Sequence, residues 1–196
     1  MKKLYPLISI LFLICWGYSK QTESLKSINY EIDLVEIDFV FCDKNTKIPY
    51  TGPVYKLNDK GIKVREGYFK DGFWDGLHLY WYDDGVTLFD SSNWNQGLLN
   101  GKQTLYFENG QKEIEQNFTN NIKNGLYTEW YETGTKKQEG TFVNGLKEGK
   151  WEGWWMNQTT LYQGQYELDK MSGIWKYFYM YGDLERSVNC DKEECP

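Results

Sequence analysis

From Tyr50 onward the chain alternates short, strongly aromatic runs with polar punctuation. The runs "LYWYDD", "TLYFEN", "TEWYET", "GWWMNQ" and "KYFYMY" each end at a cluster of turn-forming residues. Apolar runs of this length bounded by Gly, Asn and Asp predict strands rather than helices. The punctuation is itself periodic. Gly52, Gly76, Gly101, Gly125, Gly149 and Gly173 stand 24, 25, 24, 24 and 24 residues apart. A second glycine follows nine residues after each, at Gly61, Gly85, Gly110, Gly134 and Gly182, with Gln158 in the remaining unit.

Within a unit, "DDGV" and "ENGQ" are hairpin signals in which both central residues are expected at positive φ. Phe69, Phe118, Phe142 and Tyr166 lie seventeen residues past their unit's first glycine, and Trp94 lies one residue late. That late residue accounts for the 25-residue step and is expected as a bulge or longer turn near Ser91 and Ser92. Looser turns then close each unit, as in "KDGFWDG", "NQGLLNG", "TNNIKNG" and "VNGLKEG". The chain is therefore expected to be all-β, an elongated array of antiparallel hairpins in six units of about 24 residues.

Counting the first glycine as zero, antiparallel pairing sets position two opposite position fifteen. This places Tyr127 opposite Gly140 and Trp151 opposite Gly164, so each ring is expected to cover a bare glycine backbone. Positions two, four, six and seventeen share one face, which with Tyr80, Tyr82, Phe107, Tyr131, Trp155, Tyr177 and Tyr179 is expected to be the main core. The other face carries, at position five, Leu57, Trp81, Tyr106, Trp130, Trp154 and Phe178, flanked at position fourteen by Glu66, Asp90, Glu115, Glu139 and Gln163. This aromatic ladder with its acids is the candidate binding surface, represented by Trp81, Tyr106, Trp130, Trp154, Phe178, Glu115 and Glu139. Were the sheet to curl over it, or the register to slip by one residue, the ladder would be core instead.

"GLYTEWYETGTKKQEGTFVNGLKEGKW" resembles the bacterial variant of the MORN repeat, in which G-x-W-x-x-W-Y-x-x-G…G-x-Y-x-x-G-x-x-x-G recurs. "NTKIPYTGPVY" is similar to the way such arrays open. The likeness runs from Tyr50 to about Ser187. Many bacterial relatives are labelled YwqK-type antitoxins, and the resemblance implies an interaction scaffold rather than an enzyme. The units lack the paired glycines of the eukaryotic form, so lipid binding is not carried over.

Composition agrees with the pattern: aromatic residues make up 18% of the 196, and 19 glycines accompany only four prolines, a mixture suited to strands and tight turns. The formal charge of −6 disfavours nucleic acid and anionic lipid as partners. Residues 1–19 carry Lys2 and Lys3 before an apolar run from Leu4 to Trp16 and are expected to be a cleaved secretory leader, which takes the charge to −8. An uncleaved anchor, or a lipid on Cys15, is the alternative. Residues 20–48 alternate apolar and acidic positions and are expected to cap the first hairpin. The array spans 49–187, and a polar tail 188–196 follows.

The expected mature chain keeps Cys42, Cys190 and Cys195. An elongated array puts Cys42 out of reach of the other two, so the expected disulfide is Cys190 to Cys195, unless both tail thiols stay free. His78 is the sole histidine and sits at position two, where other units place Tyr or Trp, so it is expected to fill packing space. No phosphate loop, metal-ligand spacing or nucleophile motif occurs, and no catalytic residue, cofactor or metal is expected. The first functional expectation is an exported scaffold that binds another protein, with Trp and Tyr as anchors. A glycan or cell-wall module is the alternative, and membrane-surface association a third reading.

Overall fold

A computed structural model describes residues 26–192 and 194–195. The leader expected over residues 1–19, including Cys15, lies outside the described residues. In chain order the elements are β1 (Ile28–Asn29), a single helical turn α1 (Tyr30–Asp33), β2 (Leu34–Ile37), β3 (Val40–Asp43), β4 (Gly52–Leu57), β5 (Lys63–Lys70), β6 (Phe73–Trp74), β7 (Gly76–Trp81) and β8 (Leu88–Asn95). They continue with β9 (Leu98–Tyr106), β10 (Lys112–Thr119), β11 (Ile122–Trp130), β12 (Lys136–Val143), β13 (Leu146–Trp154), β14 (Thr160–Glu167), β15 (Lys170–Phe178) and β16 (Leu184–Asn189).

The strands run β1-β4-β5 and then β7 to β16 in sequence order across one open sheet, with β6 beside β5 and β2–β3 a separate hairpin. Pairing is antiparallel except between β1 and β4. One hairpin cannot bury its aromatic face alone, so each stacks on the next and the 24-residue period becomes an elongated array. At about 4.8 Å per strand the sheet extends roughly 60 Å.

The two turn types are the reverse of the sequence expectation. At the Asn-Gly end, Gly110 N–H donates to the Phe107 carbonyl and Phe107 N–H to the Gln111 carbonyl, both at 2.9 Å, and only the glycine, at φ 82°, is left-handed. The strand leaving this turn carries a bulge, Glu113 here and Lys137 in the next hairpin, so more than two residues must be spanned. The closing end pairs flush, Val143 with Leu146, and leaves two residues, Asn144 and Gly145, at φ 50° and 86°. Leu168 and Asp169 fill the same two places at φ 49° and 69°. A leucine there is strained, and Leu168 is exposed. Leu168→Asn is therefore expected to raise stability by about 0.5–1 kcal/mol, read from the urea midpoint.

The extra residue of the second unit also lies elsewhere than expected. Tyr82 N–H reaches the Thr87 carbonyl, whereas Tyr131 needs only Thr135. The turn itself is one residue longer, and the Ser91–Ser92 stretch stays in the ladder of strand pairs. Asp90 consequently pairs with Tyr80 and shares its face, not that of Glu115 and Glu139.

Register places Trp151 opposite Gly164, yet the ring lies on its other neighbour. A Cβ on Gly140 would stand 2.1 Å from Trp151 Cδ2, and one on Gly164 2.1 Å from Trp175 Cδ2. The cause is the break in β12–β13 pairing between Glu139 and Thr141. There Gly140 faces the bulged segment that ends at Trp151, whose ring tips back over the bare backbone. The Trp151 Nε1–H donates to Thr141 O at 3.3 Å and Trp175 Nε1–H to Gln165 O at 3.0 Å.

Trp151 and Trp175 are the deepest aromatics of the C-terminal cluster, 1% and 2% exposed, each worth roughly 2–3 kcal/mol of burial before entropy. Phe142 and Tyr166 meet Trp151 edge-on, and the Lys147 ammonium lies 4.6 Å from the Trp151 ring, its stem closing the solvent side. The position-six residues expected in the core are not its centre: none of them is buried, and Tyr179 is exposed.

At the N-terminus β1 covers part of the open β4 edge through Ile28 and Val54. Tyr30 and Leu34 pack on Phe69 and Val54 as a second apolar cluster. The described part of the 20–48 segment therefore covers a face as well as an edge. Between the two clusters the same face turns polar: His78, Ser92 and Gln116 are buried, and Gln103 links Gln116 to Asp90 by amide hydrogen bonds of 3.0 and 2.5 Å.

At the far end Cys190 N–H donates to Gly173 O at 2.9 Å, so the tail begins docked on β15. Cys190 and Cys195 form a disulfide with Cα atoms 5.4 Å apart, and Cys42 is buried and free.

Candidate functional site

The ladder residues Trp81, Tyr106, Trp130, Trp154 and Phe178 fall at the last place of β7, β9, β11, β13 and β15. All five are half-buried, neither core nor free. Each strand ends there because the turn bulge follows, so the repeat delivers one ring per hairpin at the same height.

The backbone of three of them, Tyr106, Trp154 and Phe178, is pinned by the preceding hairpin. Tyr82 OH donates to the Tyr106 carbonyl at 2.8 Å, Tyr131 OH to that of Trp154 at 2.9 Å, and Trp155 Nε1–H to that of Phe178 at 3.1 Å. Asn109 and Asn157 stitch the turns likewise, donating to Glu132 O and Met180 O.

The acids beside the ladder are not free carboxylates. Lys63 pairs with Glu66, Lys112 with Glu115 at 2.6 Å, and Lys136 with Glu139 at 2.7 Å. Each of these ammoniums also lies over a ring of the following unit: Lys63 over Trp81 at 5.3 Å, Lys112 over Trp130 at 5.5 Å and Lys136 over Trp154 at 5.3 Å. The hydrogen bond from Lys112, seconded by Lys102, holds the Glu115 carboxyl below the usual range.

The sequence signal for this device is K-x-x-E, at Lys63, Lys112 and Lys136. On a regular strand residues three apart face opposite ways. The turn bulge inserts one residue between them, as at Glu113 between Lys112 and Ile114, and brings Lys and Glu to one side. Trp81, Tyr106, Trp130, Trp154, Phe178, Glu115 and Glu139 thus share a margin of the sheet, with three lysines that the sequence reading did not include.

His78 lies on the opposite face, 4.5 Å from the Trp74 ring, beside Gly67, whose missing Cβ leaves room for both rings. Its Nδ1 is 3.4 Å from Ser92 Oγ, which accepts from Trp94 Nε1–H at 3.0 Å. Burial, then the charge of Arg65, pulls its pKa down to about 4. This is a packing position with a titratable occupant. Among the described residues no three His, Cys, Asp or Glu side chains are grouped to hold a metal ion, and no helix is long and apolar enough to cross a membrane.

No protein-family model matches the chain, and no curated protein matches it.

Proposed function

We propose that this chain is an exported, non-enzymatic scaffold of the MORN-like kind that binds another protein along the ladder margin. The observation that supports the reading is the ladder itself: five rings at one height, three of them on backbone held by a hydrogen bond from the preceding hairpin before any partner arrives. Preorganised aromatics bordered by ion pairs match the make-up of a protein interface, aromatic at its centre and polar at its rim. Three of the rings carry an ammonium on one face, which leaves less free ring surface for stacking sugars and favours a protein over a glycan. Antitoxin-like neutralisation is one form such binding takes.

The test is capture from the source organism with the chain as bait, followed by titration of the recovered protein. Trp130→Ala and Trp154→Ala are each expected to weaken that complex by more than about 1 kcal/mol. Their melting temperatures should fall by much less than that of Trp151→Ala. Recovery of the same partner at unchanged affinity with both variants would overturn the assignment of this margin.

A further inference from the structure

The lengthened turn of the second unit builds something that the other hairpins do not share. A groove of about 470 Å³ opens there, lined by Tyr80, Trp81, Tyr82 and Phe89, with the Tyr80, Tyr82 and Phe89 rings on one side of the sheet. Phe89 is its centre post, edge-on to Tyr80 at 5.3 Å and to Tyr82 at 5.2 Å. The remaining wall is Thr87 and three carboxylates, Asp83 and Asp84 from the turn and Glu108 from the next one, with no cationic side chain in the lining.

These acids differ from those of the ladder. Glu66, Glu115 and Glu139 are each paired with a lysine. Asp83, Asp84 and Glu108 take part in no ion pair among the described residues. Asp84 is held by the turn, accepting from Val86 N–H and Thr87 N–H at 2.9 Å. Asp83 and Glu108 have no side-chain hydrogen bond there either. The charge of Glu108 also reaches the Tyr82 hydroxyl, whose pKa is raised by burial first and then by Glu108 and Glu113.

The Arg65 guanidinium already lies 4.4 Å from the Tyr80 ring and Lys63 lies over Trp81, so Tyr82 and Phe89 are the rings left to a ligand, and a cation against them gains most when carboxylates supply the counter-charge. We propose that this groove is a binding site for an organic cation, an alkylammonium or guanidinium group, either free in solution or carried on the side chain of a protein. The twenty-fifth residue of the repeat is what makes it. It widens the turn from the span seen at Tyr131–Thr135 to Tyr82–Thr87 and turns Phe89 toward the two tyrosines. The site stands apart from the ladder reading, sharing only Trp81 with it.

The full chain is titrated with tetramethylammonium and with the neutral isostere tert-butanol, followed by Trp fluorescence and by NMR of the aromatic side chains. Saturable binding of tetramethylammonium, with tert-butanol much weaker, is expected. Phe89→Leu and the pair Asp83→Asn with Glu108→Gln should each weaken it by about threefold to tenfold. The exposed carboxylates can be changed without loss of fold, which keeps the test open should Phe89→Leu unfold.

An end-blocked peptide with a single lysine separates the sources: tighter binding of the peptide than of tetramethylammonium marks a protein side chain, and the reverse marks a free amine. Equal responses to tetramethylammonium and tert-butanol, or saturation by neither cation, would overturn the proposal. Trp130→Ala and Trp154→Ala should leave it unchanged, so failure of the ladder and failure of the groove are read separately.

Discussion

Trp151→Ala is expected to lower the unfolding free energy by about 3–5 kcal/mol, the range for truncating a fully buried large ring. Gly140→Ala should cost about 1–3 kcal/mol by overpacking, because the new Cβ would stand 2.1 Å from the Trp151 ring. The two changes are not independent. With the indole gone the methyl enters vacated space, so adding Gly140→Ala to Trp151→Ala should cost almost nothing, a coupling of about 1–3 kcal/mol.

Gly164→Ala provides the control. It is the backbone partner of Trp151, yet its space is filled by Trp175, so its cost should persist in the Trp151→Ala background. Repeat arrays can lose two-state behaviour, and urea transitions should therefore be followed by fluorescence and circular dichroism together. Coupling of Trp151 to Gly164 rather than to Gly140 would show that the rings lean the other way.

Much of this architecture is legible in the sequence because a single period sets it. Glycines about 24 residues apart fix the spacing of the strands, and the Asn-Gly and Asp-Gly pairs fix where they reverse, so the pairing of Tyr127 with Gly140 and of Trp151 with Gly164 follows from counting. What counting cannot supply is the direction in which a side chain leans. Gly140 has Tyr127 and Trp151, and Gly164 has Trp151 and Trp175, on its two flanking strands at compatible heights, and the β12–β13 and β14–β15 bulges choose between them.

The same limit hid the lysines of the ladder. Lys112 and Glu115 belong to opposite faces of an ideal strand and to one face of a bulged one. The turn insertion at Tyr82–Thr87 likewise moved Asp90 off the ladder and into the polar centre of the other face. That centre was visible as letters, with His78, Ser92, Gln103 and Gln116 standing where other units have Tyr, Trp or Gly. Their substitution for aromatics splits the core in two, into the cluster at Phe69 and the cluster at Trp151.

The split core carries a pH dependence. His78 is 8% exposed, and its pKa is brought down to about 4 from 6.5 chiefly by burial. Between those values the unfolded chain binds a proton that the folded chain does not. The stability His78 permits is complete above about pH 6.5 and is lost as pH falls toward 4. The full difference corresponds to about 3 kcal/mol.

Asp90, on the same face, has its pKa raised by burial. It contributes the opposite slope, its stability present at low pH and lost as pH rises through its folded pKa, so the net curve of the native chain is a sum of the two. The comparison that isolates His78 is His78→Gln, which installs the residue that the next unit carries at the same position, Gln103. Urea midpoints of both chains at pH 7 and at pH 4.5 should show the native chain losing about 2 kcal/mol more than the variant on acidification. Parallel losses would mean that the imidazole is protonated in the folded state, with water or a carboxylate reaching the Nε2 that has no hydrogen-bond partner in the buried centre.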